Sequence, residues 1–146
     1  MGNKRKFIYW ILLIGWMSFI AIMSHQPADI SDSQSMGIIA RIEEIGLDLN
    51  MIFGDRTNFM LRKFAHFLEY MILAIFMSNV MNIYFDRKKS IIVTMSLVFL
   101  YACSDEIHQL FVEGREGAVR DVLIDTAGGI TTIIIKLVYE MGSNKR

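Results

Sequence analysis

The stretch SDEIHQLFVEGREGAVRDVLID, residues 104–125, places dense charge between two long apolar runs. Each of these runs is close to the ~20 residues that a membrane-spanning helix needs. Ionisable side chains in or beside such spans are costly to bury and commonly mark a functional site. The stretch therefore predicts two spanning helices with a polar site where they meet.

Apolar segments of this length occur four times along the chain, at residues 7–23, 64–84, 90–111 and 118–139. The chain is 53% hydrophobic and its mean hydropathy is +0.39, so it is more apolar than an ordinary soluble domain. We therefore predict an all-α integral membrane protein, a bundle of four transmembrane helices forming a single domain over residues 1–146. The first segment could instead be a signal peptide, but its bulky residues and lack of a small-residue cleavage site favour an anchor.

Three basic clusters predict how the spans are oriented. They are Lys4 to Lys6 before the first span, Arg87 to Lys89 between the second and third, and Lys145 with Arg146 after the fourth. By the positive-inside rule all three lie in the cytoplasm, so both termini are predicted to be cytoplasmic. Residues 24–62 and 114–117 then face outward, although the long first loop also contains basic residues accompanied by acidic ones.

The first outer loop carries a helical pattern of its own. Pro27 ends the first helix, and residues 31–33 are candidate N-caps for an amphipathic helix over about residues 34–49. Such a helix either lies in the membrane interface or packs over the mouth of the bundle, and its acidic polar face favours packing on the bundle. The apolar residues at helical spacing are Ile38, Ile42, Ile45 and Leu49.

Helix direction brings the polar residues of three spans to one depth. The second span enters from outside with its polar residues first, and the third has about fifteen uncharged residues, roughly 22 Å of helix, before its charges. The fourth span returns from outside and also begins with charge. We therefore predict an inward-facing polar pocket in the outer leaflet. Its candidate catalytic residues are His66, Glu69, Asp105, Glu106, Gln109, Asp121 and Asp125.

Each part of this pocket also has a purely structural interpretation. His66 and Glu69 can bond each other and tie helices together, and a buried ion pair can fix the helix arrangement. Lys136 is expected to extend to the cytoplasmic surface, while Gly128 and Gly129 are expected to permit close helix contact. The candidates for the ion pair are Asp105 or Glu106 with Arg115 or Arg120.

The same residues resemble a known family. The blocks HFLEY at residues 66–70, SDEIHQLFV at 104–112, Gly114-Arg115, and VRDVLIDT at 119–126 with Gly128 look like the VanZ-like family of small bacterial membrane proteins. The turn from Ser24 to Pro27 is similar too, and the loop over residues 30–62 is the least constrained part. The resemblance implies a multi-pass protein of the bacterial cytoplasmic membrane.

The family's founding member is associated with resistance to the glycopeptide antibiotic teicoplanin. The resemblance also implies membership of a wider set of membrane enzymes, proposed computationally, that act on lipid head groups or lipid-linked envelope precursors. The expected partners are accordingly membrane lipids or a lipid-linked cell-wall precursor. A non-catalytic membrane protein that binds lipid or the antibiotic's target is the alternative. A transporter is disfavoured because the polar residues are confined to one leaflet.

The residue types suggest a chemistry for the predicted pocket. Arg115 and Arg120 are candidate ligands for a phosphate or pyrophosphate, because guanidinium groups donate bidentate hydrogen bonds. His66 is the candidate general base or nucleophile, oriented by Glu69, while Glu106 or Asp125 supplies acid function or holds a metal.

Other classes of function lack support in the sequence. The net charge of +0 gives no indication of a nucleic-acid partner. Histidine and carboxylates suit a divalent metal, but no HExxH or comparable spacing supports one, and the cofactor is left open without favouring a metal. Signatures of serine hydrolases, P-loop proteins and dithiol oxidoreductases do not occur.

Overall fold

Within residues 2–143, which the computed structural model describes, the chain is built from α-helices. Four of them, α1, α4, α5 and α6, are long and apolar enough to cross a membrane, which confirms the predicted all-α, four-span fold. Lys145 and Arg146, used above to orient the fourth span, lie outside the described residues. The helices are α1 Asn3–Ser24, α2 Ala28–Glu44, α3 Leu49–Phe53, α4 Thr57–Tyr84, α5 Arg87–Gln109 and α6 Val119–Ser143, with a short 3-10 helix, Gly54–Arg56, before α4.

The connection between α5 and α6 is a tight turn. α5 ends at Gln109, two residues before the predicted end of the span. The backbone N–H groups of Phe111 and Val112 then bond to the carbonyls three residues earlier. Gly114 adopts a φ of +70, which is the left-handed conformation that glycine accommodates without strain. The chain reverses within residues 110–118, so the start of α6 lies beside the end of α5.

The outer-loop helix α2 is shifted from its prediction. It spans Ala28–Glu44 rather than residues 34–49, and the candidate caps at 31–33 lie inside it. Pro27 occupies the N-cap position instead, since proline lacks an N–H and its fixed φ suits the start of a helix. As predicted, α2 contacts the bundle, through α4. Its buried residues are Ser35 and Ile39, whereas Ile38 and Ile45 of the predicted apolar stripe are exposed.

α4 lies at the centre of the bundle and contacts α1, α5 and α6. Two adjacent glycines fit α6 closely against its neighbours, as predicted. A Cβ atom at Gly128 would lie 2.3 Å from the Phe67 carbonyl oxygen on α4, and one at Gly129 would lie 2.9 Å from Val98 Cγ1 on α5. The buried apolar core consists of Leu13, Ile20, Tyr70, Leu73, Ala74, Met77, Val80, Met81, Val98, Ala102 and Val122.

The outside of the bundle is apolar, as a protein surrounded by lipid requires. With four candidate spanning helices, this exterior identifies a multi-pass membrane protein. The 28 residues of α4 extend about 42 Å, more than the ~30 Å hydrocarbon layer. Exposed large side chains on the long helices include Phe7, Ile11, Ile14, Ile22, Ile92, Leu100, Ile134 and Ile135.

The two ends of the bundle carry different sets of polar residues. At one end Arg87 pairs with Glu140 at 2.6 Å. Close to it, Lys136 donates a hydrogen bond to Ser78 Oγ at 3.1 Å, so its ammonium group is held against α4 rather than extended to the surface as predicted. The opposite end, where α1 and α5 finish and α4 and α6 begin, is called the charged end below.

Candidate functional site

The charged end brings together one residue from each of α4, α5 and α6. The Nδ1 atom of His66 lies 3.7 Å from Oδ1 of Asp125. One ligand atom from each of His66, Asp105 and Asp125 lies within 4.8 Å of the other two. Asp125 has an exposed fraction of 0% and Asp105 of 5%. These three residues, called the buried cluster, meet at one depth as the helix directions predicted.

The buried cluster has bonding capacity that the protein does not use. Both carboxylate oxygens of Asp125, Oδ2 of Asp105 and Nδ1 of His66 are buried without a hydrogen-bond partner in the described part of the chain. The hydroxyl group of Tyr70, a fully buried residue one turn of α4 after His66, also lacks a hydrogen-bond partner. Buried polar groups are nearly always paired in native proteins, so unpaired groups concentrated at one place need an explanation.

Three other predicted site residues hold specific protein partners. Glu106 Oε2 accepts a hydrogen bond at 2.8 Å from the backbone N–H directly before α6. Gln109 Nε2 donates to Ser24 Oγ at 2.9 Å, joining α5 to the end of α1. Asp121 pairs with Lys63 at 2.7 Å, joining α6 to α4. Each of these contacts braces the helices around the buried cluster.

The arginines do not form the ion pairs considered from the sequence. Arg115 Nε donates to the carbonyl oxygen of Gln26 at 3.1 Å, because the turn after α5 points this side chain toward the start of α2. Arg120 Nε lies 3.5 Å from Asp121 Oδ1, and its guanidinium lies 4.9 Å from the centre of the Phe59 ring. Among residues 2–143, neither arginine pairs with the carboxylates of α5.

Glu69 and His66 also remain separate, since no hydrogen bond joins their side chains among the described residues. Glu69 instead contributes its backbone carbonyl oxygen to Trp16 Nε1 at 2.9 Å, and its side chain lines a cavity with His66. The expected bond between these two side chains is therefore not formed, while the backbone of Glu69 links α4 to α1.

Two cavities at the charged end share Arg62 and Arg115. The histidine cavity, about 130 Å³, is lined by these arginines together with His66 and Glu69. The basic cavity, about 220 Å³, is lined by the same arginines together with Lys63, Arg120, Gln109 and two acidic residues, Glu116 and Asp121.

Arg62 and Arg115, which separate the two cavities and are called the shared wall below, favour binding of an anion. Burial lowers the pKa of the Arg115 guanidinium below its usual value, and the nearby charge of Arg62 lowers it further. An arginine in this position stays protonated at neutral pH. Its charge is nonetheless desolvated, and an anionic ligand would offset that cost.

Two features of the charged end were missed from the sequence. Lys63, which pairs with Asp121, lies three residues before His66, and this spacing places both on one face of α4. The spacing could therefore have placed Lys63 among the candidate site residues. His25 and His108, whose rings approach to 3.0 Å between Nδ1 and Nε2, come from the ends of α1 and α5, and no local pattern indicates their proximity.

One comparison with known proteins finds a match. A family model described as VanZ/LLP1 matches residues 9–139. No curated protein and no solved structure matches the chain. The matched region contains the buried cluster, both arginines of the shared wall and most of each long helix. The chain therefore belongs to the VanZ/LLP1 family.

Proposed function

We propose that this protein binds the phosphate-bearing head group of a lipid or of a lipid-linked envelope precursor, and hydrolyses or transfers it. The observation that carries the proposal is the basic cavity at the charged end, which shares Arg62 and Arg115 with the cavity that His66 lines. Four basic side chains and two acidic ones line this cavity. Arginine is well suited to such a ligand, because its planar donors match a phosphate in a bidentate manner.

The position of the cavity supports a lipid substrate. The four long helices place the charged end at one membrane surface, where lipid head groups lie. The basic cluster at Arg87 to Lys89 is at the opposite end, so the positive-inside rule favours an outward-facing site in the bacterial cytoplasmic membrane. A lipid of the outer leaflet could then place its head group in the basic cavity while its acyl chains stay in the bilayer.

The shared wall connects binding to chemistry. A phosphate held by Arg62 and Arg115 adjoins the histidine cavity, in which His66 and Glu69 are the groups able to transfer protons. His66 is the candidate base or nucleophile, and Asp125, at 3.7 Å from its Nδ1, is placed to orient the imidazole. This distance exceeds that of a hydrogen bond, but such contacts often shorten when the substrate binds.

The test is head-group turnover by purified protein in proteoliposomes. Phospholipids and polyprenyl-diphosphate-linked precursors, labelled in the head group, should release or exchange label. His66→Ala should abolish the turnover, and Arg115→Ala should weaken substrate binding more than Arg115→Lys. Arg87→Ala, at the opposite end of the bundle, is the matched control and should retain full activity. Turnover that persists in His66→Ala would refute the assigned chemistry.

A non-catalytic binder is the alternative, and one observation favours it. Three of the candidate catalytic residues, Glu106, Gln109 and Asp121, hold protein partners that join the helices, which leaves fewer groups for chemistry. The binder is supported if Arg115→Ala weakens lipid binding while no lipid in the panel is turned over. Protection against teicoplanin, proposed here from family membership, is tested by expressing the wild type and Arg115→Ala in a susceptible bacterium.

A further inference from the structure

We infer that the buried cluster of His66, Asp105 and Asp125 is a binding site for one divalent transition-metal ion of the Zn²⁺ or Mn²⁺ type. One imidazole nitrogen and two carboxylate oxygens suit such ions, whereas Mg²⁺ and Ca²⁺ prefer oxygen ligands alone. Catalytic zinc sites use three protein ligands and keep a further position open. The buried cluster supplies three ligands of the right chemistry.

The spacing of the ligand atoms is compatible with one shared ion. Ligands at ~2.1 Å from a tetrahedral ion lie about 3.4 Å apart. Nδ1 of His66 and Oδ1 of Asp125 are separated by 3.7 Å, which is already close to this value. The three ligand atoms all lie within 4.8 Å of one another. The most distant pair therefore has to approach by at most about 1.4 Å, a change within the range of a side-chain rotation.

The unpaired carboxylate oxygens point independently to a cation. Asp125 is completely buried and both of its oxygens lack a hydrogen-bond partner, as does Oδ2 of Asp105. Within residues 2–143 no lysine or arginine pairs with either residue. Leaving two buried carboxylates uncompensated is costly, and a divalent ion would neutralise both.

The basic residues nearby cannot readily replace that ion. Lys63 is engaged by Asp121 at 2.7 Å, Arg62 is engaged by Asp32, and Arg115 donates to a backbone carbonyl at 3.1 Å. These three side chains line the histidine cavity or the basic cavity and do not neutralise the buried cluster. The charge of the buried cluster itself remains to be balanced.

The site has both a rigid frame and an access route. Each ligand belongs to a different long helix, and the close contact of α6 with α4 at Gly128 fixes two of the three relative to one another. His66 also lines the histidine cavity, which gives an ion or an exchangeable ligand a path to the site. Asp105 and Asp125 lie behind it, shielded from lipid.

This site extends the proposed function without depending on it. With an ion bound, His66 is a ligand rather than a base, and proton transfer passes to Glu69, which lines the same cavity. If no ion binds, head-group chemistry with His66 as the base still stands. If no lipid is turned over, the ion site still stands, because it is measured without any lipid substrate.

The test is direct ion binding to the full-length protein in detergent. After treatment with a chelator, the protein is dialysed against Zn²⁺ alone or Mn²⁺ alone, and the retained metal is counted by mass spectrometry. We expect one ion per chain and a rise in melting temperature on adding the ion. Absence of a retained ion in the wild type with both metals would overturn the site.

Substitutions identify the ligands. Asp125→Asn and Asp105→Asn keep the side-chain volume and should each lower the affinity by more than the ~10-fold that loss of an outer-shell partner costs. The matched control replaces both His25 and His108 by alanine, since this neighbouring histidine pair could also attract metal. Unchanged affinity in both asparagine variants, or loss of the ion in the histidine-pair control, would overturn the assignment. The wild type and this control decide the question even if one asparagine variant fails to fold.

Discussion

A single methyl group added at Gly128 tests whether α4 and α6 are as close as the structure shows. In Gly128→Ala the new Cβ would lie 2.3 Å from the carbonyl oxygen of Phe67. This oxygen belongs to the backbone of α4, so it cannot rotate away as a side chain would. Restoring an ordinary contact requires the two helices to separate locally by about 1 Å.

The cost of this separation can be worked out from opposing terms. Inserting a methyl group into a well-packed interior costs ~1–3 kcal/mol, and contact with a backbone atom places Gly128→Ala at the upper end of this range. Alanine favours the helix over glycine by up to ~1 kcal/mol, which offsets part of the cost. The expected net loss is therefore about 2 kcal/mol, which corresponds to a fall in melting temperature of about 4–8 °C for a chain of this length.

Thermal unfolding of the purified variants in one detergent provides the measurement. Gly129→Ala should lose less stability, because its Cβ would meet Val98 Cγ1 at 2.9 Å, the end of a side chain that can shift. Gly142→Ala, in the same helix with nothing within 4 Å, should lose none. If Gly128→Ala is as stable as Gly142→Ala, the close α4–α6 contact is refuted, and with it the frame proposed for the buried cluster.

Two further predictions concern the membrane and the ion pairs. A cysteine at exposed Glu116 in an otherwise cysteine-free chain should react with an impermeant thiol reagent in intact cells, and one at Lys88 should be protected; the reverse labelling would contradict the outward-facing site. Lys63→Ala should cost ~1–3 kcal/mol, because it removes the shorter of the two contacts of the nearly buried Asp121 and leaves only Arg120, at 3.5 Å. Arg87→Ala, which removes a more exposed pair, should cost no more than ~1 kcal/mol, and equal losses in these two variants would count against a special role for the Lys63 pair.

The long helices could be predicted because their cause is local. Each apolar run has the length of a span, and a helix is the element that satisfies its own backbone within lipid. The meeting of His66, Asp105 and Asp125 was also predictable, since alternating helix directions assign a depth to every polar residue. Depth does not specify the direction in which a side chain points, however, and the partners of individual residues were less well predicted.

The arginines illustrate this limit. Pairs with Asp105 or Glu106 were one structural interpretation of the sequence, but the turn after α5 directs Arg115 toward the carbonyl of Gln26. Arg120 lies over an aromatic ring instead. The partner of Arg115 lies in the connection before α2, and the start of α2 was itself predicted six residues too late because Pro27 acts as its cap.

The tight turn between α5 and α6 explains why the charged stretch forms one site rather than two. A Cβ atom at Gly117 would lie 2.5 Å from the carbonyl oxygen of Glu106, and the carboxylate of the same glutamate accepts the N–H of Ala118 at 2.8 Å. The close approach at Gly117 and the hydrogen bond to Ala118 hold the start of α6 against the last turn of α5 and fix the register between the helices. With that register set, Asp105 lies one turn before the end of α5 and Asp125 lies two turns into α6, where the glycines bring α6 against α4. Charges twenty residues apart in the sequence therefore come to face the same histidine because a glycine and a glutamate hold the hairpin closed.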